Sequence, residues 1–143
     1  MEVVDLAKPL CGAARPGHFR GVTTIVSKLL LAAKPHAAFF GEKDYQQLAV
    51  IRRMVRDLGF DVEVVGVPTQ RDPDGVALSS RNARLSTEAR RQAPVLIRSL
   101  DAAEAAVHAG ERDSSRLLDL VRREIEKAPL ARIDYAELRD PDS

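Results

Sequence analysis

A single cysteine, Cys11, is all the thiol chemistry in the 143-residue chain. One cysteine excludes an intramolecular disulfide scaffold and a thiolate zinc cluster, and it fits a reducing compartment. Charge of one sign is equally lacking, since 22 Lys+Arg stand against 21 Asp+Glu for a net charge of +1 and both signs are interspersed. Composition therefore provides no strong electrostatic footprint for nucleic acid. There is no long hydrophobic run. The most apolar stretch, Val22 to Ala33, is interrupted by Thr23, Thr24, Ser27 and Lys28, and it falls well short of the ~20 residues of a bilayer span. Met1 to Lys8 contains Glu2 and Asp5 and has neither the basic start nor the apolar run of a secretory signal. The expectation is a cytoplasmic chain with no membrane and no nucleic-acid partner.

Several catalytic signatures are missing too. His18, His36 and His108 have no second histidine at helical spacing, so a helix-borne H-E-x-x-H metal site is excluded. His36 and His108 read as surface or hydrogen-bonded residues. No G-x-S-x-G elbow, Walker A sequence or post-strand G-x-G-x-x-G occurs, which removes those hydrolase and nucleotide-binding classes.

What is present is 45% hydrophobic residues, enough for one core or one core and part of a second. From His18 to Ala33 the apolar residues Phe19, Val22, Val26, Leu29, Leu30 and Ala33 fall on one helical face. Lys34-Pro35 ends that helix. Ala37-Ala38-Phe39-Phe40 is apolar without alternation, as for a parallel strand buried on both faces. A helix from about Tyr45 to Leu58 follows, with Leu48, Ile51, Val55 and Leu58 inward and Gly59 at the left-handed cap. Asp61 to Val67 then reads as a second strand, completing a βαβ crossover.

Beyond Pro68 the composition changes. Thr69 to Asn82 is a polar loop, and from about Arg84 the sequence becomes helical and rich in Ala, Arg and Glu, which places a domain boundary there. Ser86 fits an N-cap for a helix reaching Gly110, with Pro94 opening a new turn or kinking it and Val95, Leu96, Leu100, Ala103 and Val107 inward. Asp113 caps another helix with Leu117, Leu120, Val121 and Ile125 inward, and Arg132 to Leu138 alternates like a half-exposed strand.

Two clusters follow the two strands. Gly41-Glu42-Lys43-Asp44-Tyr45-Gln46-Gln47 lies between the carboxyl end of a strand and a helix start, where open α/β sheets bind ligands. Gly41 admits close approach, Lys43 offers a cation and the helix start adds N–H groups, which together form a phosphate cradle. The plainer reading is a capping box, Asp44-x-x-Gln47. Ser79-Ser80-Arg81-Asn82 offers hydroxyls and a guanidinium to phosphate, or else is a solvated turn leading into a helix. Both clusters lie at one edge of the sheet and could face one ligand. His18, in Arg15-Pro16-Gly17-His18-Phe19-Arg20-Gly21, is either an anion-facing residue or an entry cap.

The sequence resembles the pantoate–β-alanine ligase family through Arg15 to Val22, Phe39 to Gln47, Val65 to Thr69, Ser79 to Asn82 and Ile133 to Tyr135, in the family's order and spacing. The Phe39-to-Leu48 stretch is the most specific of these, and Ser79 to Asn82 is similar to the KMSKS loop of class I synthetases and related nucleotidylyltransferases. The resemblance implies an α/β fold: part of a Rossmann-like parallel sheet of the nucleotidylyltransferase superfamily over 1–83, then the start of a smaller α+β domain over 84–143. It implies ATP as a substrate with magnesium assisting, pantoate adenylated with loss of pyrophosphate, and attack by β-alanine to give pantothenate and AMP.

Site roles follow from the same resemblance. Gly41 and Asp44 are implied as ribose contacts, and Lys43, Ser79, Ser80 and Arg81 as phosphate contacts and the catalytic group. Glu42 joins the ATP-binding segment, with Leu78 and Gln70 beside the nucleotide, and Gln47 binds pantoate. The family's His-x-Gly-His signature and a further pantoate glutamine are not in the sequence. The chain is therefore expected to correspond to the middle of a longer, homodimeric enzyme and to be inactive alone. A nucleotide-binding or dimerising module without ligase activity is the alternative. A different adenylyl-transferring enzyme would require another acceptor-binding region.

Overall fold

The computed structural model describes residue 3 and residues 5–140. These divide into two compact units that meet in sequence between Thr69 and Gln70, ahead of the composition change near Arg84.

The first unit contains α1 (Cys11–Ala14), α2 (His18–Ala33), β1 (Ala37–Gly41), α3 (Tyr45–Leu58) and β2 (Glu63–Val67). α2 has the bounds that its periodicity predicts. It closes through Lys34 in the left-handed region, whose N–H donates to Leu30 O at 2.9 Å. β1 and β2 are parallel, with Ala37 opposite Glu63 and Gly41 opposite Val67, so the βαβ reading holds. β2 starts later than the expected Asp61 because the ladder begins where a partner is available: Glu63 N–H donates to His36 O at 2.9 Å. Gly59 caps α3 with φ +63, as expected.

Leu30, Ile51, Met54 and Val55 form the buried centre, with Val22, Val26, Ala38, Phe40 and Val64 packed against it. α2 and α3 thus lie on one side of the sheet, and the expectation of a strand buried on both faces is corrected: Phe39, on the opposite side, is 67% exposed. Leu29, expected inward, is 60% exposed. Thr23, by contrast, is fully buried, and its hydroxyl donates to Phe19 O at 3.0 Å and Arg20 O at 3.1 Å. A threonine whose hydroxyl bonds within its own helix carries no unsatisfied polar group inward.

The second unit opens with a hairpin from Gln70 to Leu78, followed by a 3-10 turn over Ser80–Arg84, α4 (Thr87–Gln92), α5 (Val95–His108) and α6 (Ser114–Glu126). Ser86 caps α4 by accepting from Ala89 N–H, and Asp113 caps α6 by accepting from Ser115 and Arg116 N–H, both as expected. Pro94 separates α4 from α5. Two expectations fail here. Leu96 and Leu100 are 57% and 54% exposed, and Ser99 is buried beside Val95 on the inward face. The Ser99 hydroxyl donates to Leu96 O at 2.7 Å, so a small, satisfied serine sits inside. Arg132 to Leu138 forms no strand. Among the described residues no neighbouring strand pairs with it, and Ala136 O accepts from Arg122 Nη2 at 3.2 Å instead of from a ladder.

Candidate functional site

In the first unit, β1 ends at Gly41 and leads through a 3-10 turn, Glu42–Asp44, into α3. This puts Gly41, Glu42, Lys43 and Asp44 at the carboxyl end of a parallel strand, all exposed, with Gln47 half-buried on the first turn of α3. A Cβ built on Gly41 would meet nothing within 4 Å, so its backbone is open to close approach. The capping box does not form: the Asp44 side chain makes no cap hydrogen bond, and its Oδ1 lies 3.4 Å from Lys43 Nζ. The start of α3 is therefore not closed by its own carboxylate. This is the arrangement that lets a helix N-terminus serve an anion.

Glu42 reaches across to β2. A Cβ on Gly66 would stand 2.9 Å from Glu42 Oε1 and 3.1 Å from both Arg52 Nη2 and Leu48 Cδ2, so the absence of a side chain at Gly66 makes room for Glu42 and Arg52. Gln46 carries no distinguishing signal in the sequence, yet it is the best-connected side chain of the segment. Its Nε2 donates to Leu6 O at 2.9 Å and Pro9 O at 2.8 Å, and its Oε1 accepts from Cys11 N–H at 3.1 Å. It ties residues 6–11 to the beginning of α3, next to Gln47. Two adjacent glutamines give no sequence signal of which one turns to the chain and which outward. His18 opens α2 after Gly17 at φ +80, with Arg15 Nη1 3.4 Å from its Nε2.

In the second unit, the hairpin brings Gln70 and Leu78 side by side, Leu78 N–H donating to Gln70 O at 2.8 Å. Leu78 is 52% exposed. Ser79 Oγ accepts from Arg81 N–H at 3.2 Å, Asn82 Nδ2 donates to Ala77 O at 3.0 Å, and Ser80 and Arg81 are exposed. The turn reading thus accounts for Ser79 and Asn82, whereas Ser80 and Arg81 present a hydroxyl and a guanidinium outward.

Arg90 grips Asp72 and Asp74 in the same unit. Hydrogen bonding from Arg90 holds the Asp74 carboxyl below its ordinary range, and Asp74 in turn raises the Arg90 guanidinium. A depressed carboxylate contributes its stabilisation above the unfolded-state pKa and loses it as pH falls through the lowered value. Among the described residues no group of three or more His, Cys, Asp or Glu could hold a metal ion, and no helix is long and apolar enough to cross a membrane.

Two parallel strands joined through a crossover helix make the first unit an α/β fold, with Lys43 at the carboxyl end of its first strand. The sequence profile of the family described as Pantoate-beta-alanine ligase matches residues 1–143. The chain belongs to that family. It is 54% identical over 143 residues to the pantothenate synthetase of Geobacter sulfurreducens, covering 100% of this chain and 50% of that protein. With the enzyme of Myxococcus xanthus the identity is 56% over 140 residues, 98% of this chain and 48% of the relative. Among solved structures, pantothenate synthetase from Thermus thermophilus superposes with a TM-score of 0.95 at 50% identity, covering 99% of this chain and 51% of that one. The ligase from Francisella tularensis, solved with β-γ ATP and β-alanine, gives a TM-score of 0.60 at 32% identity over 87% of this chain and 45% of its own. The chain spans about half the length of the curated relatives it matches.

Proposed function

We propose that this chain supplies the nucleotide phosphate and pantoate contacts of a pantoate–β-alanine ligase. The carrying observation is the family match over all 143 residues. In this reading the pantoate carboxylate oxygen attacks the α-phosphorus of ATP and pyrophosphate leaves. The β-alanine amine then attacks the acyl carbon of the pantoyl adenylate, loses its proton and expels AMP.

The Lys43 ammonium of the first unit, and the Ser79 and Ser80 hydroxyls and Arg81 guanidinium of the second, are each read as donors to phosphate oxygens on which negative charge develops. Asp44 and the backbone at Gly41 hold the ribose, Gln70 and Leu78 lie beside the base, and the Gln47 amide holds pantoate. Glu42 belongs to the same ATP segment, where its carboxylate over Gly66 shapes the turn. His18 is kept as a lesser ligand contact. The described residues form no cage for magnesium, and no step is assigned to it. The working enzyme is read as a cytoplasmic homodimer, with residues 1–83 completing a Rossmann-like domain and 84–143 beginning the next. Because the chain spans half the relatives' length, it is expected to be inactive by itself. The alternative is a nucleotide-binding or dimerising module with no ligase step.

The test is a graft: the Geobacter sulfurreducens enzyme with the aligned half replaced by this chain. Within the graft, Arg81→Lys should lower pantoate-dependent pyrophosphate release by about tenfold or more, because charge is kept but the two-pronged donor geometry is lost. Arg84→Lys, at an exposed position on the same turn, should leave it near normal. Equal, near-normal rates for both variants would remove Arg81 from the phosphate site.

A further inference from the structure

The hairpin from Gln70 to Leu78 runs directly into Ser79-Ser80-Arg81, and its own bonds close it on itself. Leu78 N–H donates to Gln70 O and Asp72 N–H to Val76 O, both at 2.8 Å, and Arg71 Nη1 donates to Gly75 O at 3.0 Å. Such bonds fix the hairpin's shape and leave its direction to be set from outside.

At the tip, Arg90 of α4 donates through Nη1 to Asp74 Oδ2 at 2.5 Å, and through Nη2 to Asp72 Oδ2 at 3.0 Å and Asp74 Oδ1 at 3.1 Å. One planar guanidinium holding two carboxylates constrains both the distance and the rotation of the tip, which a point charge would not do. Val76 is buried beside it, and Gly75, at φ +88, lies so close to α5 that a Cβ would stand 2.7 Å from Ile97 Cγ2. The apolar contact seats the hairpin and the guanidinium sets its angle.

We infer that Arg90 is a positioning residue that aims Leu78 to Arg81, acting through Asp74 and Asp72 without touching the ligand. The nature of that ligand rests on the nucleotide reading above.

The test uses the 143-residue chain, by amide NMR, free and titrated with α,β-methylene-ATP. Arg90→Gln should move the Leu78–Arg81 amide resonances, leave those of α6 in place, and weaken binding of the analogue about tenfold. Arg90→Lys should restore only part of the affinity. Asp74→Asn should shift the same amides, and the double variant should be no worse than Arg90→Gln, since both break one tie. If Arg90→Gln fails to fold, Asp74→Asn carries the comparison alone. Unmoved Leu78–Arg81 amides in a folded variant would overturn the inference. So would additive losses in the double variant, which would put Arg90 on the ligand itself. If the unaltered chain does not respond to the analogue, the affinity comparison passes to the graft, whose silence would end the nucleotide reading, and the amide shifts in the free chain still decide the positioning role.

Discussion

In the graft, Lys43→Ala should cut pantoate-dependent pyrophosphate release by about 10²- to 10³-fold, the usual loss when one preorganised transition-state donor is removed. The melting temperature should scarcely change. Lys43 lies at the carboxyl end of β1 with its side chain 37% exposed, and its ion pair with Asp44 is a 3.4 Å surface contact. Exposed pairs of this kind contribute little to folding, in the range of about 0–1 kcal/mol. A lysine placed for packing would show the opposite split, with a lower melting temperature and a near-normal rate in the surviving folded enzyme. Measuring both on the same preparation separates the two roles, and a marked loss of stability with an unaltered rate would remove Lys43 from the phosphate site.

The second large effect concerns the core of the first unit. Ile51→Ala in the isolated chain should destabilise that unit by about 2–5 kcal/mol, the sum of lost transfer energy and residual cavity. Ile51 has no exposed surface and lies among Leu30, Met54 and Val55, with Phe40 and Val64 of the sheet packed against this group. A loss of that size is a large part of the roughly 5–15 kcal/mol that holds a typical domain together, so circular dichroism should show a melting temperature many degrees lower. Leu29→Ala is the control, because Leu29 is 60% exposed, and surface changes of this kind usually stay within about 0.5 kcal/mol. A loss at Leu29 as large as that at Ile51 would mean that α2 turns Leu29 into the core.

Much of the first unit is legible in the sequence because periodicity, turn residues and caps agree. Proline after Lys34, glycine at 59 and the valines of β2 each point to the same βαβ crossover. The faces are less legible, because apolarity alone does not say which side of a strand or helix finds a partner. Phe39 and Leu29 look like core residues in sequence and are exposed, since α2 and α3 both pack on the Phe40 side. Thr23 and Ser99 look polar and are buried, because hydroxyls can be satisfied by carbonyls of their own helix. The alternation at Arg132 to Leu138 suggests a strand, but alternation is only a necessary condition where pairing depends on a neighbour.

The candidate site shows the same limits. The position of Gly41 to Gln47 after β1 follows directly from the crossover. That Asp44 leaves α3 uncapped, and that Gln46 is the glutamine tied to residues 6–11, depends on side-chain directions that sequence spacing leaves open. Arg90 is invisible in the sequence for a related reason: its partners Asp72 and Asp74 lie well back along the chain, across the 3-10 turn, and nothing local marks the pairing.

The most direct measurement is the conversion of radiolabelled β-alanine to pantothenate by the graft in the presence of ATP and pantoate, with the 143-residue chain assayed beside it. Pantothenate from the graft, dependent on both pantoate and ATP, with none from the chain alone, is the predicted result. A correctly folded graft that makes no pantothenate would contradict the claim that this chain supplies half of a working ligase site.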